Sequence, residues 1–174
     1  MTFSIVARCP STGLFGVAVA TAVPAVGSMC PFSRAKVGAA STQSWVNPYL
    51  ALGVLDAIAA GTPARVALQA ALAADAAREL RQIGVVDAKG EAAAFTGADC
   101  TPWCGQEIGD GFAVQGNMLT GAQVIDAMAG AFRMSAGQRL DERLMRALEA
   151  GDAAGGDTRG RQSASLRVQG EEDY

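Results

Sequence analysis

Two rhythms of apolar residues run along this chain, and they divide it into blocks. The amino-terminal forty residues are extended: a run over 1–8, a turn at Pro10-Ser11-Thr12-Gly13, and a second run over 14–20 heading back. After a loop from Pro24 to Pro31 the spacing predicts a third run, Ala35 to Ala40. Within the second, Gly16-Val17-Ala18-Val19-Ala20 is continuously apolar, as expected of a strand buried on both faces. The period then becomes helical. Asn47-Pro48 is an N-cap and N1 pair, so a helix is predicted through Leu50, Leu52, Val54, Leu55 and Ile58, stopping at Gly61. Thr62-Pro63 repeats the start signal for a helix to about Ala76, with Val66, Leu68 and Leu72 turned inward.

Gln82 to Asp87 and Glu91 to Thr96 read as a hairpin about Ala88-Lys89-Gly90. Gly97 to Asp110 reads as an irregular loop holding Cys100, Trp103 and Cys104, and Gly111 to Gln115 as another strand. Thr120 is the expected cap of a helix from Gly121 to about Met134, striped by Val124, Ile125, Met128 and Phe132. A further helix is predicted over about Leu140–Ala150, then a glycine-rich loop over 151–161 and a last strand from Gln162 to Val168. The order is three strands, two helices, three strands, two helices and one strand. Blocks of this kind disfavour a doubly wound βαβ sheet. They suit an α+β protein in which two sheets stack and each carries a helix pair on its outer face.

Composition narrows the class. The 174 residues suffice for one domain with a sizeable core, expected over 1–170, with 171–174 as an acidic tail. Half of them are hydrophobic and 18% charged, which excludes disorder as the default. Aromatics are only 6%, so the core must close through small side chains. A net charge of −3 argues against nucleic acid as partner. No apolar run reaches the roughly 20 residues of a membrane span, and no signal-peptide pattern opens the chain. A cytoplasmic protein is expected, acting on a small-molecule substrate or ligand, with no membrane partner and no cofactor. The small-residue strands and apolar helices suggest a homo-oligomer.

Histidine is absent, which excludes Ser-His-Asp and Cys-His catalysis and histidine-ligated zinc. Cys100 and Cys104 form a Cys-x3-Cys pair. They cannot complete a zinc site unless Cys9 and Cys30 join them, so packing cysteines and no metal are expected. Trp45 and Trp103 either line a pocket mouth or anchor loops.

Thr2 stands out at the start of the first strand. A hydroxyl needs a base, and an α-amine with a pKa near about 8 can supply one from the same residue. Methionine before a small residue is the usual substrate for methionine removal, so Thr2 can become the chain end. While Met1 stays attached, Thr2 has no free amine.

Several stretches carry a family resemblance: Thr2-Phe3-Ser4-Ile5-Val6-Ala7, Gly16 to Ala20, Gln82-Ile83-Gly84-Val85-Val86-Asp87, Phe95-Thr96-Gly97 and Val114-Gln115-Gly116-Asn117-Met118-Leu119. The most specific is Gly155-Gly156-Asp157-Thr158-Arg159-Gly160-Arg161-Gln162-Ser163-Ala164. Over nearly its whole length the chain resembles the family catalogued as domain of unknown function 1028, whose members are often longer at the carboxyl end. The resemblance implies a four-layer α-β-β-α sandwich like that of N-terminal nucleophile hydrolases. It also implies Thr2 at the rim of the cleft between the sheets, with a basic residue on a neighbouring strand. Arg34 and Lys36 are the candidates for that support; the alternative is a solvated strand end. Asn117 is either a donor to an oxyanion or a turn residue. Asp157, Arg159, Arg161 and Ser163 lie in a loop that either contacts an anionic ligand or pins itself by an Asp157–arginine pair. Two readings result: hydrolysis of an amide or related C–N bond by Thr2, or ligand binding without chemistry.

Overall fold

The computed structural model describes residues 2–172; Met1 and the last two residues of the expected acidic tail lie outside the described residues. Among the described residues, nine strands and four α-helices form a mixed α/β fold with two antiparallel sheets. The strands are β1 (Thr2–Arg8), β2 (Phe15–Thr21), β3 (Pro31–Arg34), β4 (Gly38–Ser44), β5 (Arg81–Asp87), β6 (Ala92–Thr96), β7 (Gly105–Gly109), β8 (Phe112–Asn117) and β9 (Ser163–Gln169). The helices are α1 (Pro48–Ala59), α2 (Ala64–Ala74), α3 (Gln123–Met134) and α4 (Leu140–Ala153). The five-stranded sheet has the order β7-β8-β1-β2-β9, and the four-stranded sheet β3-β4-β5-β6.

Two strands depart from the sequence pattern. The third run, expected over 35–40, is a hairpin: β3 and β4 flank a turn in which Lys36 takes a left-handed φ of 61°. The stretch expected to be loop contains β7, an edge strand paired with β8 from Gly105↔Gly116 to Gly109↔Phe112. Its sequence, Gly-Gln-Glu-Ile-Gly, has no apolar alternation because it does not face a core on one side. The helix starts are mixed. Asn47 caps α1 by accepting from the Tyr49 N–H at 3.2 Å. At α2 the Ala64 N–H is taken instead by the Asp87 carboxylate at 3.1 Å, which also accepts from Lys89 and Glu91 N–H and so closes the β5–β6 turn. At α3 the Thr120 hydroxyl does not cap the helix; it accepts from the Gln123 side chain at 3.2 Å.

Strand alternation sends successive side chains to opposite faces. Phe3, Ile5 and Ala7 of β1, Ala18 and Ala20 of β2, and Phe112 and Val114 of β8 pack against Val124, Met128 and Phe132 of α3 and Leu140, Leu144 and Leu148 of α4. Ala40, Ile83, Val85 and Ala93 of the second sheet pack against Leu50, Val54, Leu55, Leu68 and Leu72 of α1 and α2. The other faces of the sheets meet through Val6, Phe15, Val17, Ala39, Val86 and Ala113.

That inner contact is apolar only at one end. Moving along each strand, the inward positions change character: Val6 to Ser4 to Thr2, Val17 to Val19 to Thr21, Ala39 to Ser41 to Gln43, Val86 to Gly84 to Gln82, Ala113 to Gln115 to Asn117. Thr2, Ser4, Thr21, Ser41, Gln43, Gln82, Gln115 and Asn117 are all at most 4% exposed. Five neighbouring strands therefore build one buried polar layer at the Thr2 end. Burying so many polar groups is tolerable only if they satisfy one another.

Candidate functional site

Thr2 opens the central strand of the larger sheet. In register it faces Asn117 of β8 on one side and Thr21 of β2 on the other, and Thr21 faces Ser163 of β9. Asn117, Thr2, Thr21 and Ser163 thus form one row at the ends of four adjacent strands. Thr2 Oγ1 donates to Thr21 Oγ1 at 3.2 Å. Its carbonyl oxygen accepts from Gln43 Nε2 of the opposite sheet at 3.2 Å.

Behind Thr2 lies a chain of amides. Gln82 Oε1 accepts from Asn117 Nδ2 and from Gln43 Nε2, each at 2.8 Å. Gln82 Nε2 is within hydrogen-bond distance of Gly116 O at 2.8 Å, Thr96 Oγ1 at 2.9 Å and Gly105 O at 3.2 Å. Ser4 Oγ donates to Gln43 Oε1 at 2.7 Å and accepts from Gln115 Nε2 at 2.6 Å. The Gln115 carboxamide lies directly over Gly84, where an added Cβ would meet its oxygen at 2.2 Å. A side chain at position 84 would push the Gln115 carboxamide out of its place.

The basic residues expected beside Thr2 are elsewhere. Arg34 ends β3 and pairs with Asp56 of α1 at 2.8 Å. Lys36 lines a cavity of about 250 Å³ together with Arg8 and Phe15. Arg8 is at the far end of β1, about 20 Å from Thr2 at roughly 3.3 Å per residue. The β3–β4 turn carries Lys36 to the opposite end of the sheets.

The glycine-rich loop does reach the site. Asp157, 7% exposed, accepts from Ala22 N at 3.2 Å and Arg159 N at 2.8 Å, so it fastens the loop to the residue following β2. The Arg159 guanidinium stands 3.6 Å from the same carboxylate, and Arg161 pairs with Asp152 at the end of α4. Ser163 Oγ donates to Val23 O at 2.7 Å and accepts from Val26 N at 3.1 Å. Each candidate ligand-binding group in this loop has a partner within the protein. The Asp157 carboxylate is held chiefly by the backbone N–H groups of Ala22 and Arg159, with the Arg159 guanidinium farther off.

The four cysteines are unbridged. Cys100 Sγ donates to Arg81 O at 3.3 Å and Cys104 Sγ to Cys100 O at 3.5 Å. No group of three or more metal-ligating side chains is gathered among the described residues, and no helix there is long and apolar enough to cross a membrane. Trp45 is 66% exposed and Trp103 36% exposed; neither is an interior anchor.

Cys9 differs from the other cysteines. It lies in a cavity of about 410 Å³ with Ser11, Thr12, Leu140 and Asp141. Burial pushes its thiol up, but hydrogen bonds from the side chains and backbone of Ser11 and Thr12 outweigh this and bring it to about 7. Burial pushes Cys30 up to about 12. The thiolate is the nucleophile, so iodoacetamide at pH 7.5 is expected to alkylate Cys9 at least about tenfold faster than Cys30. The Cys9 rate should rise as pH climbs through about 7. Peptide mass spectrometry over a pH series checks this; equal rates for the two would contradict it.

The glutamines were the residues missed from sequence. Gln43 and Gln82 stand on strands whose other inward positions are small or apolar, and Gln115 lies between inward Ala113 and Asn117; a buried glutamine in such a place must find partners. The available signal was the change from apolar or small to polar within each strand, Val86-x-Gly84-x-Gln82 on β5 and Ala113-x-Gln115-x-Asn117 on β8.

The sequence model of the family of unknown function DUF1028 matches residues 2–174. A search of curated proteins found no match. Among solved structures, the crystal structure of protein SPO2555 from Silicibacter pomeroyi, assigned to DUF1028, is similar with a TM-score of 0.91 and 31% identity. The likeness covers 97% of this chain and 73% of that one. A match over all but the first residue, with a solved relative at this identity, assigns the chain: it belongs to the family of unknown function DUF1028.

Proposed function

We propose that this chain is a hydrolase of the N-terminal nucleophile type, a four-layer α-β-β-α sandwich that cleaves an amide or related C–N bond in a small molecule. Removal of Met1 makes Thr2 the chain end. Its α-amine takes the hydroxyl proton, and Oγ1 attacks the substrate carbonyl carbon. Asn117 donates to the developing oxyanion: its amide nitrogen has two hydrogens, and the bond to Gln82 Oε1 uses one. The C–N bond breaks as the α-ammonium protonates the leaving nitrogen, and water then hydrolyses the Thr2 ester with the amine again as base.

The observation that carries this reading is the company Thr2 keeps. Its side chain and carbonyl bond to Thr21 and Gln43, and Asn117 is its cross-strand neighbour. None of these ionises near neutral pH, and in this reading the α-amine of Thr2 is the base closest to its own hydroxyl. The ligand-binding alternative is less favoured, because Asp157, Arg159, Arg161 and Ser163 are all engaged within the protein.

The test is intact-mass analysis of the purified protein before and after exposure to an acylating β-lactone. The expected outcome is a mass lacking Met1 and a single adduct mapped to Thr2, absent from Thr2→Ala. Quantitative retention of Met1 in the source cell would overturn the proposal, as would equal labelling of Thr2→Ala.

A further inference from the structure

We infer that Gln82, on the sheet opposite Thr2, is the positioning residue of this site: it sets which way the Asn117 carboxamide points and shares with the Thr2 and Gln115 carbonyls the fixing of Gln43. This rests on the reading of Thr2 as nucleophile. Two of the groups around Gln82 cannot change role. Gly105 and Gly116 face Gln82 with carbonyl oxygens, at 3.2 and 2.8 Å, and a carbonyl can only accept. The nitrogen of Gln82 must therefore lie on that side, with Thr96 Oγ1 also in reach at 2.9 Å. Its oxygen is then forced toward Asn117 and Gln43.

Two consequences propagate from that oxygen. Asn117 must present Nδ2 to it, at 2.8 Å, which makes Asn117 a donor at the position opposite Thr2. Gln43 must present Nε2, also at 2.8 Å. The same nitrogen reaches Thr2 O and Gln115 O, each at 3.2 Å, so two hydrogens are shared among three acceptors. With its nitrogen so placed, Gln43 turns its oxygen to Ser4, which donates to it at 2.7 Å. Reversing Gln82 would set its oxygen against two carbonyls and leave two amide nitrogens facing its own nitrogen. Gln43, Gln82 and Gln115 are 0% exposed and Asn117 only 2%, so bulk solvent cannot stand in for a lost partner. The groups that face Gln82 from β4, β6, β7 and β8 are Gln43, Thr96, Gly105, Gly116 and Asn117, none of which ionises in the working range. The neighbouring Arg81 is turned away to Asp75 at 2.8 Å. A charge introduced at position 82 is therefore the only ionising group added to the layer.

The experiment uses full-length protein with Met1 removed, in wild type, Gln82→Met and Gln82→Glu, with Gln43→Met as a second route should a position-82 variant fail to fold. Two readouts are taken. The first is the Asn117 side-chain amide resonances in ¹⁵N–¹H spectra, which report its hydrogen bond whether or not Thr2 reacts. Gln82→Met is expected to move them and speed their exchange with solvent. The second is the rate of Thr2 acylation by the β-lactone against pH. Gln82→Met is expected to slow it about tenfold or more. Gln82→Glu is expected to raise the pH midpoint by about one unit, because a nearby carboxylate favours the protonated amine. The Gln82→Glu midpoint reports how near position 82 lies to the Thr2 amine; a purely structural glutamine would alter melting in Gln82→Met while the Asn117 resonances and the acylation rate stay at their wild-type values.

Unchanged Asn117 resonances in Gln82→Met overturn the positioning role. So does acylation at the wild-type rate with the wild-type midpoint in both position-82 variants. A wild type that is never acylated while Asn117 responds to Gln82 overturns the nucleophile reading alone, and the orientation of Asn117 by Gln82 stands.

Discussion

Replacing Phe3 by alanine is expected to lower the free energy of unfolding by about 4 kcal/mol. Phe3 is 1% exposed and sits on the helix-facing side of β1, one residue from Thr2. An added Cβ on Gly151 of α4 or on Gly156 in the following loop would stand 3.4 Å from its ring carbons. The ring therefore fills the space between the central strand, the end of α4 and the loop that holds Asp157. Alanine would leave a cavity bounded on several sides by backbone, which collapses poorly, so the cost falls in the upper part of the range for aromatic truncation. Urea denaturation should show the midpoint falling with an unchanged slope, and melting should drop by roughly 10 °C for a chain of this size. A loss below about 1.5 kcal/mol would mean that the surrounding segments close over the gap.

The second large effect is expected at a glycine where two backbone segments cross. A Cβ on Gly97 would stand 2.2 Å from the Glu79 carbonyl oxygen, 2.4 Å from its carbon and 2.7 Å from its Cα. These are main-chain atoms and cannot swing away as a side chain would. They are held by bonds from Gly97 N to Arg81 O and from Asp99 N to Glu79 O, each 2.9 Å. Gly97→Ala is expected to cost about 3 kcal/mol, at the upper end for overpacking. Because the crossing precedes Arg81 and Gln82, the variant should also disturb the start of β5. Gly53 supplies the contrast. It lies exposed inside α1 with nothing within 4 Å of an added Cβ, so Gly53→Ala is expected to stabilise by about 0.5–1 kcal/mol through helix propensity. Parallel denaturation curves test both; similar signs for the two substitutions would refute the steric account of Gly97.

Much of the architecture was legible because the signals that encode it are local. Asn47-Pro48 starts α1 by a cap within two residues, the Asn47 carboxamide oxygen accepting from the Tyr49 N–H, and the apolar stripe of Val124, Ile125, Met128 and Phe132 faces the larger sheet as its spacing requires. The blocks of strands and helices were sufficient to expect two stacked sheets. What failed locally were β3 and β7, edge strands of four and five residues that show no alternation. Their formation depends on a neighbouring strand offering its open backbone, and no residue within them announces that.

The candidate site divides along the same line. Thr2 stood out from its position in the chain, and Asn117 and the Asp157 loop from their residue types and glycines. Chemistry of that kind belongs to individual side chains, so it can be read before any fold is known. Distance cannot. Arg34 and Lys36 begin the sheet that covers Thr2, yet the turn at Lys36 sends them to its other end, because antiparallel strands return the chain on itself. Gln43 and Gln82, separated by 39 residues, meet at 2.8 Å because β4 and β5 are paired in register. Periodicity thus determined which face each side chain takes; only the stacking of the two sheets decided that the polar ends of five strands would coincide around Thr2.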